Sequence, residues 1–258
     1  MKMSNKTILI TGGSGGLGLA FAKGLSENNT VIICGRSEQR LAQAQATNPR
    51  LKTIVCDVSD KSSISSMINI IKIEYPNLNV LINNAGVMHL HNVAENSLSM
   101  EHQQQEIQTN FFGVVALCDA LIPQLKQQKE AAIINITSGL AYMPFLAAPV
   151  YTATKAAIHS YSQSIRQALK SSSITVFEAL PPMIDTEMSK GLEMPGIAKV
   201  SAEILAKNII KKIEKQQLEI RPGTAQMMIR MYKIFPWMIN TMMAKMAPKI
   251  LLNIPNYK

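Results

Sequence analysis

Acidic residues are scarce in this chain and absent from its end: beyond Glu219 there are none. Cysteine is scarce too. Cys34, Cys56 and Cys118 sit in apolar runs without C-x-x-C spacing, which argues against a disulfide scaffold or a thiolate zinc site and fits a reducing compartment. No long apolar run survives inspection. The longest charge-free stretch, 131–154, contains Asn135, Gly139, Pro144 and Pro149, so no membrane-spanning helix is expected. Met1 to Asn5 reads as a short polar lead into a strand, not a secretory signal. What remains is 258 residues, 47% hydrophobic and 17% charged, enough for a sizeable core and compatible with a single α/β domain. Disordered and fibrous architectures are excluded.

The formal charge of +9 is uneven. Residues 1–187 carry 14 basic and 13 acidic side chains, whereas 188–258 carry 12 basic and 4 acidic. The excess therefore belongs to the tail, and no nucleic-acid recognition motif accompanies it. Nucleic acid is not an expected partner.

Apolar, β-branched runs at 7–10, 30–34, 51–56, 80–82, 132–136 and 174–180 read as strands buried on both faces. Helix-like segments at 17–27, 38–46, 61–75, 101–126 and 152–170 alternate with them. This alternation predicts an α/β, Rossmann-type doubly wound parallel sheet with helices on both faces. Pro181-Pro182 stops the last strand, 187–200 reads as a loop, and a further helix is expected over 201–217. We expect residues 1–223 to form one such domain. Residues 224–258 form a basic, Met-rich C-terminal helical extension, in the same domain or peripheral to it.

The first strand runs into Thr11-Gly-Gly-Ser-Gly-Gly-Leu-Gly18 and then a helix. Glycines 12, 16 and 18 permit a tight turn and close approach to a pyrophosphate, with helix amides facing its charge. The second strand ends in Cys34-Gly35-Arg36, where an NAD site would usually carry Asp or Glu; Arg36 can instead pair with a 2′-phosphate. Asp57 suits an adenine amino group or a helix N-cap equally well. Asn83-Asn84-Ala85-Gly86 follows the fourth strand, where open α/β sheets bind ligands. Tyr151 and Lys155, four apart on a helix, can face one cleft, and a nearby ammonium would lower a phenol's pKa. Ser138, at the end of the fifth predicted strand, can hold a substrate oxygen.

In combination these residues resemble the short-chain dehydrogenase/reductase family, from Lys6 to about Thr186. TGGSGGLG is similar to the family's TGxxxGxG, Asn83 to Gly86 to its NNAG, Asn110 to its helix asparagine, and Ser138 with Tyr151 and Lys155 to its Ser and YxxxK. The resemblance implies that Tyr151 is the general acid or base and that Lys155 lowers its pKa and holds the nicotinamide ribose. It implies that Ser138 orients the carbonyl and that Asn110 holds a relay water. Implied cofactor contacts are Gly12, Ser14, Gly16, Leu17, Gly18, Arg36, Asp57, Val58, Asn83, Ala85, Gly86, Tyr151, Lys155, Ile184 and Thr186. Two departures stand out. Pro182 replaces the family's common glycine and removes a backbone donor, and Gly15 replaces the Arg or Lys found in many NADP-using loops. NADP(H) is expected over NAD(H), on Arg36 and the missing acid. ICGRSEQRL, YPNLNVLINNAG, TSGLA and YTATKAAIHS further resemble bacterial DltE-type oxidoreductases, a likeness that names no substrate. Similar proteins oligomerise through the helices around 101–126 and 151–170, so a cytoplasmic homo-oligomer is expected. Enoyl reductases space Tyr and Lys more widely. The competing reading is a catalytically silent dinucleotide-binding sensor or membrane-associated scaffold.

His89 and His91 have no further ligands nearby in sequence, and no metal site is expected. The run 140–150, with Tyr142, Met143 and Phe145, together with Met183, Met188 and Met194, suggests a pocket for an apolar carbonyl or alcohol. The tail mixes Met227, Met228, Met231, Phe235, Trp237, Met238, Met242 and Met246 with Arg230, Lys233, Lys245 and Lys249. It suits a helix on an anionic bilayer, broken at Pro236 and Pro248, or an extension packed over the substrate cleft or another subunit.

Overall fold

In a computed structural model the described residues are 1–93, 98–193 and 198–252, with side chains to 247. Met194, the side chain of Lys249 and the last six residues lie outside that description. Seven strands form one parallel sheet: β1 (Thr7–Thr11), β2 (Thr30–Gly35), β3 (Lys52–Val55), β4 (Leu78–Asn83), β5 (Ala131–Ile136), β6 (Ile174–Ala179) and, after the short pair β7 (Ile184–Asp185) and β8 (Val200–Ser201), β9 (Glu219–Ile220). Their order is β3-β2-β1-β4-β5-β6-β9. Chain direction across the sheet reverses between β1 and β4, and there the strand ends open a crevice.

The six strands read from the sequence are present. The seventh has only two residues between a Lys/Gln-rich turn and Arg221-Pro222, too short to carry a periodic signal. Strands are apolar on consecutive positions because both faces are covered. One face takes α1 (Gly16–Leu25), α2 (Glu38–Thr47) and α7 (Ala202–Glu214); the other takes α3 (Lys61–Glu74), α5 (Gly113–Leu125) and α6 (Pro149–Ala168). Side chains with no exposure, such as Leu9, Ile32, Ile33 and Phe177, each contribute about 1.5–3 kcal/mol by burial.

Two expectations about helices need correction. The single helix expected over 101–126 is α4 (Met100–Ile107), a π-helical turn at Gln108–Phe112, and then α5. The tail forms α8 (Thr224–Ile234) and α9 (Pro236–Leu252); Pro236 does separate them, but α9 continues through Pro248. Proline suits the first turn at Pro236, where its missing N–H has no intrahelical partner in any case. Among the described residues no helix is long and apolar enough to cross a membrane.

A third cluster lies beyond the C-terminal ends of β5 and β6. Met143, Phe145, Leu180 and Leu192 pack with Ile229 of α8 and with Ile239 and Met243 of α9. The inner faces of the tail helices thus cover the crevice.

Candidate active site

The crevice is a cleft of about 620 Å³, within the usual range for small-molecule sites. At one end the glycine loop turns from β1 into α1. Gly12 and Gly16 have φ of 64° and 51°, and a Cβ at Gly12 would lie 2.9 Å from the Ala85 Cα. Only glycine permits both the left-handed turn and this approach. The α1 N-cap, Gly15, offers no side chain to the first helical amides, which leaves them available to an anionic ligand. The cradle fits a dinucleotide pyrophosphate.

Of the cofactor contacts implied by the sequence, Gly12, Ser14, Gly16, Leu17, Arg36, Asp57, Val58, Ala85, Gly86, Tyr151, Lys155, Ile184 and Thr186 line the cleft. Gly18 and Asn83 do not; they stand behind it. A Cβ on Gly18 would fall 2.3 Å from the Gly12 carbonyl oxygen, so its role is close packing of α1 on the loop. Asn83 is buried and donates to Asn135 Oδ1 at 2.8 Å, joining β4 to β5. Its neighbour Asn84 lines the cleft instead, with Nδ2 donating to the Thr11 carbonyl at 3.0 Å. Asp57 does not cap α3; Asp60 does, accepting from Ser62 and Ser63 amides. One oxygen of Asp57 accepts from the Ser59 amide and hydroxyl.

Arg40 also lines the cleft, a residue the sequence reading missed. It sits in the first turn of α2, three residues past the Ser37 cap, and so returns toward the loop. A Cβ built on Gly15 would lie 2.7 Å from an Arg40 guanidinium nitrogen. The signal was present in Gly15: where the loop lacks a side chain, a cation from the next helix occupies the space.

At the far end Ser138, Tyr151 and Lys155 come together. Ser138 follows β5 and accepts from the Leu140 amide at 3.1 Å. Tyr151 and Lys155, one turn apart on α6, are both buried. The Ser138 hydroxyl faces the phenol and favours its ionised form, and Lys155 Nζ lies 5.6 Å from the ring centroid while donating to the Ile136 carbonyl at 3.0 Å. Burial dominates the electrostatics. It pushes the Tyr151 phenol up to about 12, opposed by the Ser138 hydrogen bond and reinforced by the charge of Glu106. Burial also pulls the Lys155 ammonium down to about 8. Burial, and not the ammonium that helical spacing led us to expect, sets the direction of the phenol's shift, because a phenolate is costly to remove from water.

Asn110 lies in the π-helical turn, buried beside the cleft but not lining it. Its Oδ1 accepts from the Val87 amide at 2.8 Å, and Nδ2 donates to the Val87 carbonyl at 2.9 Å and to Thr154 Oγ1 at 3.1 Å. Both amide protons are engaged. The side chain clamps the segment after β4 to α6, and only its Oδ1 keeps room for a further donor. Such a π-turn inside a helix commonly marks a site where a residue is re-aimed.

The apolar wall comes from three distant segments: Leu140, Met143 and Phe145; Met183, Met188 and Leu192; and Met228 and Met243 of the tail helices. His89 lines the cleft and pairs Nε2 with Gln105 at 3.0 Å, and its ring stacks on His102 at 4.2 Å.

Comparison with known proteins agrees with this architecture. The family model described as short chain dehydrogenase matches residues 6–195. The uncharacterised oxidoreductase DltE of Bacillus subtilis (strain 168) is 47% identical over 191 residues, 74% of this chain and 76% of that protein. The uncharacterised oxidoreductase SERP2049 of Staphylococcus epidermidis is 30% identical over 229 residues, 86% and 99% of the two. A Burkholderia cenocepacia J2315 short-chain dehydrogenase, solved in complex with NADP, is similar with a TM-score of 0.83 at 24% identity, covering 94% of this chain and 99% of that one. One from Burkholderia phymatum, solved with NAD, reaches 0.82 at 18% identity, covering 93% and 96%. Sheet order, glycine cradle and family match thus lead to one conclusion: the chain belongs to the short-chain dehydrogenase family of NAD(P)-dependent oxidoreductases.

Proposed function

We propose that the protein interconverts an apolar carbonyl and its alcohol with NADP(H), and that Tyr151 moves the proton. The observation carrying this reading is the meeting of Ser138, Tyr151 and Lys155 in one cleft that continues from a glycine cradle to a methionine-lined wall. When bound, the coenzyme supplies the hydride. The chain's own residues do the rest. Ser138 holds the substrate oxygen, and the protonated Tyr151 phenol donates to that oxygen as negative charge develops on it. Lys155, anchored on the Ile136 carbonyl, holds a buried cation beside the ring.

Support for NADP over NAD comes from Arg36 and Arg40, both lining the cleft where β2 ends without an acid. A planar guanidinium suits a phosphate dianion. The substrate class rests on Leu140, Met143, Phe145, Met228 and Met243. Because the tail helices supply part of this wall, we read the described part of the tail, 224–252, as belonging to the same folding unit as 1–223.

The test is a screen of the purified protein against aromatic, long-chain and small polar carbonyls with NADPH and NADH, followed at the reduced-nicotinamide absorbance. Apolar carbonyls with NADPH should turn over fastest. Tyr151→Phe should abolish turnover and keep NADPH binding; binding without turnover in the unaltered protein would favour the sensor reading.

The surroundings of the enzyme belong to the same proposal. Three buried free thiols support a reducing, cytoplasmic setting. Half-exposed Phe112, where α5 begins, supports a homo-oligomer through α5 and α6, to be checked by light scattering. The corner between α8 and α9 leaves Ile234, Phe235 and Trp237 exposed, Trp237 by 69%, near exposed Arg230 in an acid-free segment. This pattern suits peripheral contact with an anionic bilayer. Flotation with anionic and with neutral vesicles should show binding to the former alone, lost on Trp237→Ser.

A further inference from the structure

Helices α1 and α6, both facing the cleft, begin without a side-chain cap. For α1 this leaves amides open to the pyrophosphate cradle. For α6, which presents Tyr151 and Lys155, the N-cap is Ala148, and it offers nothing to the first-turn amides. Pro149 lacks an N–H, but Val150 and Tyr151 retain theirs, since the first intrahelical bond at this end runs from the Thr152 amide to the Ala148 carbonyl.

Glu106 stands at this point. It is the one buried residue of the polar helix α4, with 0% exposure, and α4 packs against α6. Its Oε1 accepts from the His89 backbone amide, and the Tyr151 amide also favours its ionised form. Its Oε2 has no hydrogen-bond partner. A buried carboxyl oxygen without a partner is costly, and a carboxylate at a helix N-terminus is favoured by the helix dipole. These opposed effects meet at the first turn of the helix that carries Tyr151.

We propose that Glu106 is a positioning residue whose ionised carboxylate braces the uncapped start of α6 to the His89 loop, fixing Tyr151 for proton transfer and releasing that hold when it is protonated. The inference rests on the reading of Tyr151 as the proton donor. The groups around the carboxyl are few. The α6 helix brings Tyr151 and Lys155; the segment after β4 brings His89, stacked on His102 of α4, and buried His91, whose amide donates to the Ala147 carbonyl beside the α6 start; the π-helical turn brings no titratable side chain. Burial raises the carboxyl to about 7, against the pull of the two amides, so the brace changes state across neutral pH.

The experiment uses the full chain with NADPH and a carbonyl from the screen, together with carboxyl-labelled glutamate followed by carbon NMR. One glutamate should titrate near 7 and vanish from that range in Glu106→Gln. The unaltered enzyme's kcat should fall as pH drops through the same range, and Glu106→Gln should run flat at the low-pH level. Glu106→Ala should lower kcat on the order of tenfold while NADPH KM stays unchanged, as expected of a misplaced reacting group. A fall in kcat on the acid side that persists in Glu106→Gln, distinct from the alkaline change where Lys155 loses its proton at about 8, or a wild-type spectrum with every glutamate in the ordinary carboxylate range, would overturn the brace whatever the activity. A Glu106 that titrates near 7 in a protein that reduces no carbonyl would instead overturn the proton-donor reading, and the catalytic role of the brace with it.

Discussion

The two ends of the cleft are built differently. At the coenzyme end, backbone does most of the shaping: β1, β2 and β4 end together, Gly12 and Gly16 take left-handed φ, and the α1 amides face the opening. At the substrate end, side chains do it: Met143 and Phe145, Met183 and Leu192, and Met228 and Met243 come from three parts of the chain and meet only by packing. A backbone cradle tolerates little change, because a Cβ in the wrong place meets main chain. A methionine wall adapts, because the thioether side chain is unbranched and flexible.

The largest expected effect lies at the junction of the two ends. Tyr151→Phe should cost about a thousandfold in kcat, as for loss of a general acid, with NADPH binding by fluorescence intact. Next comes a break at the coenzyme end. Arg36→Ala with Arg40→Ala should raise the NADPH KM by about ten- to a hundredfold, as expected for losing charge-assisted bonds, and leave the NADH KM nearly unchanged. Equal losses for both coenzymes would remove the basis of the NADP preference. At the substrate end Met243→Ala should widen the wall, lowering kcat/KM for the preferred carbonyl, with a stability loss of about 2 kcal/mol by chemical denaturation. The smallest effect is a pH dependence. The folded state raises the Glu106 carboxyl to about 7, so folding favours its proton. That contribution is fully present below the ordinary carboxylate range and lost as pH rises through about 7. The thermal midpoint should fall across this range more in the unaltered protein than in Glu106→Gln.

The same contrast explains what was legible in the sequence. The glycine loop could be read because its chemistry is contiguous, and Tyr151 with Lys155 because a helix sets residues four apart on one face. Gly18 and Asn83 were read as coenzyme contacts because they share a motif with residues that line the cleft; packing puts them one layer back. The water-holding role that the resemblance implies for Asn110 stays an expectation; what packing adds is that the π-helical turn aims its side-chain amide at Val87 and Thr154. Arg40 and Glu106 belong to no motif and gain their places only when α2 folds back over the loop and α4 packs on α6. The tail left two readings open. Its inner face now covers the cleft, while its outer corner keeps the composition that suggested a bilayer.

Local order came from the chain alone: the apolar strands, the alternation that makes the sheet parallel, the turn of the glycine loop and the one-turn spacing of phenol and ammonium. These depend on neighbours within a few residues, where backbone sterics and helical period leave little choice. Tertiary packing decided what lies between distant segments: the meeting of Ser138 with Tyr151, the guanidinium over Gly15, the carboxyl at the start of α6 and the methionine wall. Such contacts, and the shifts that burial imposes on Tyr151, Lys155 and Glu106, depend on which surfaces exclude water together, and no local rule specifies that.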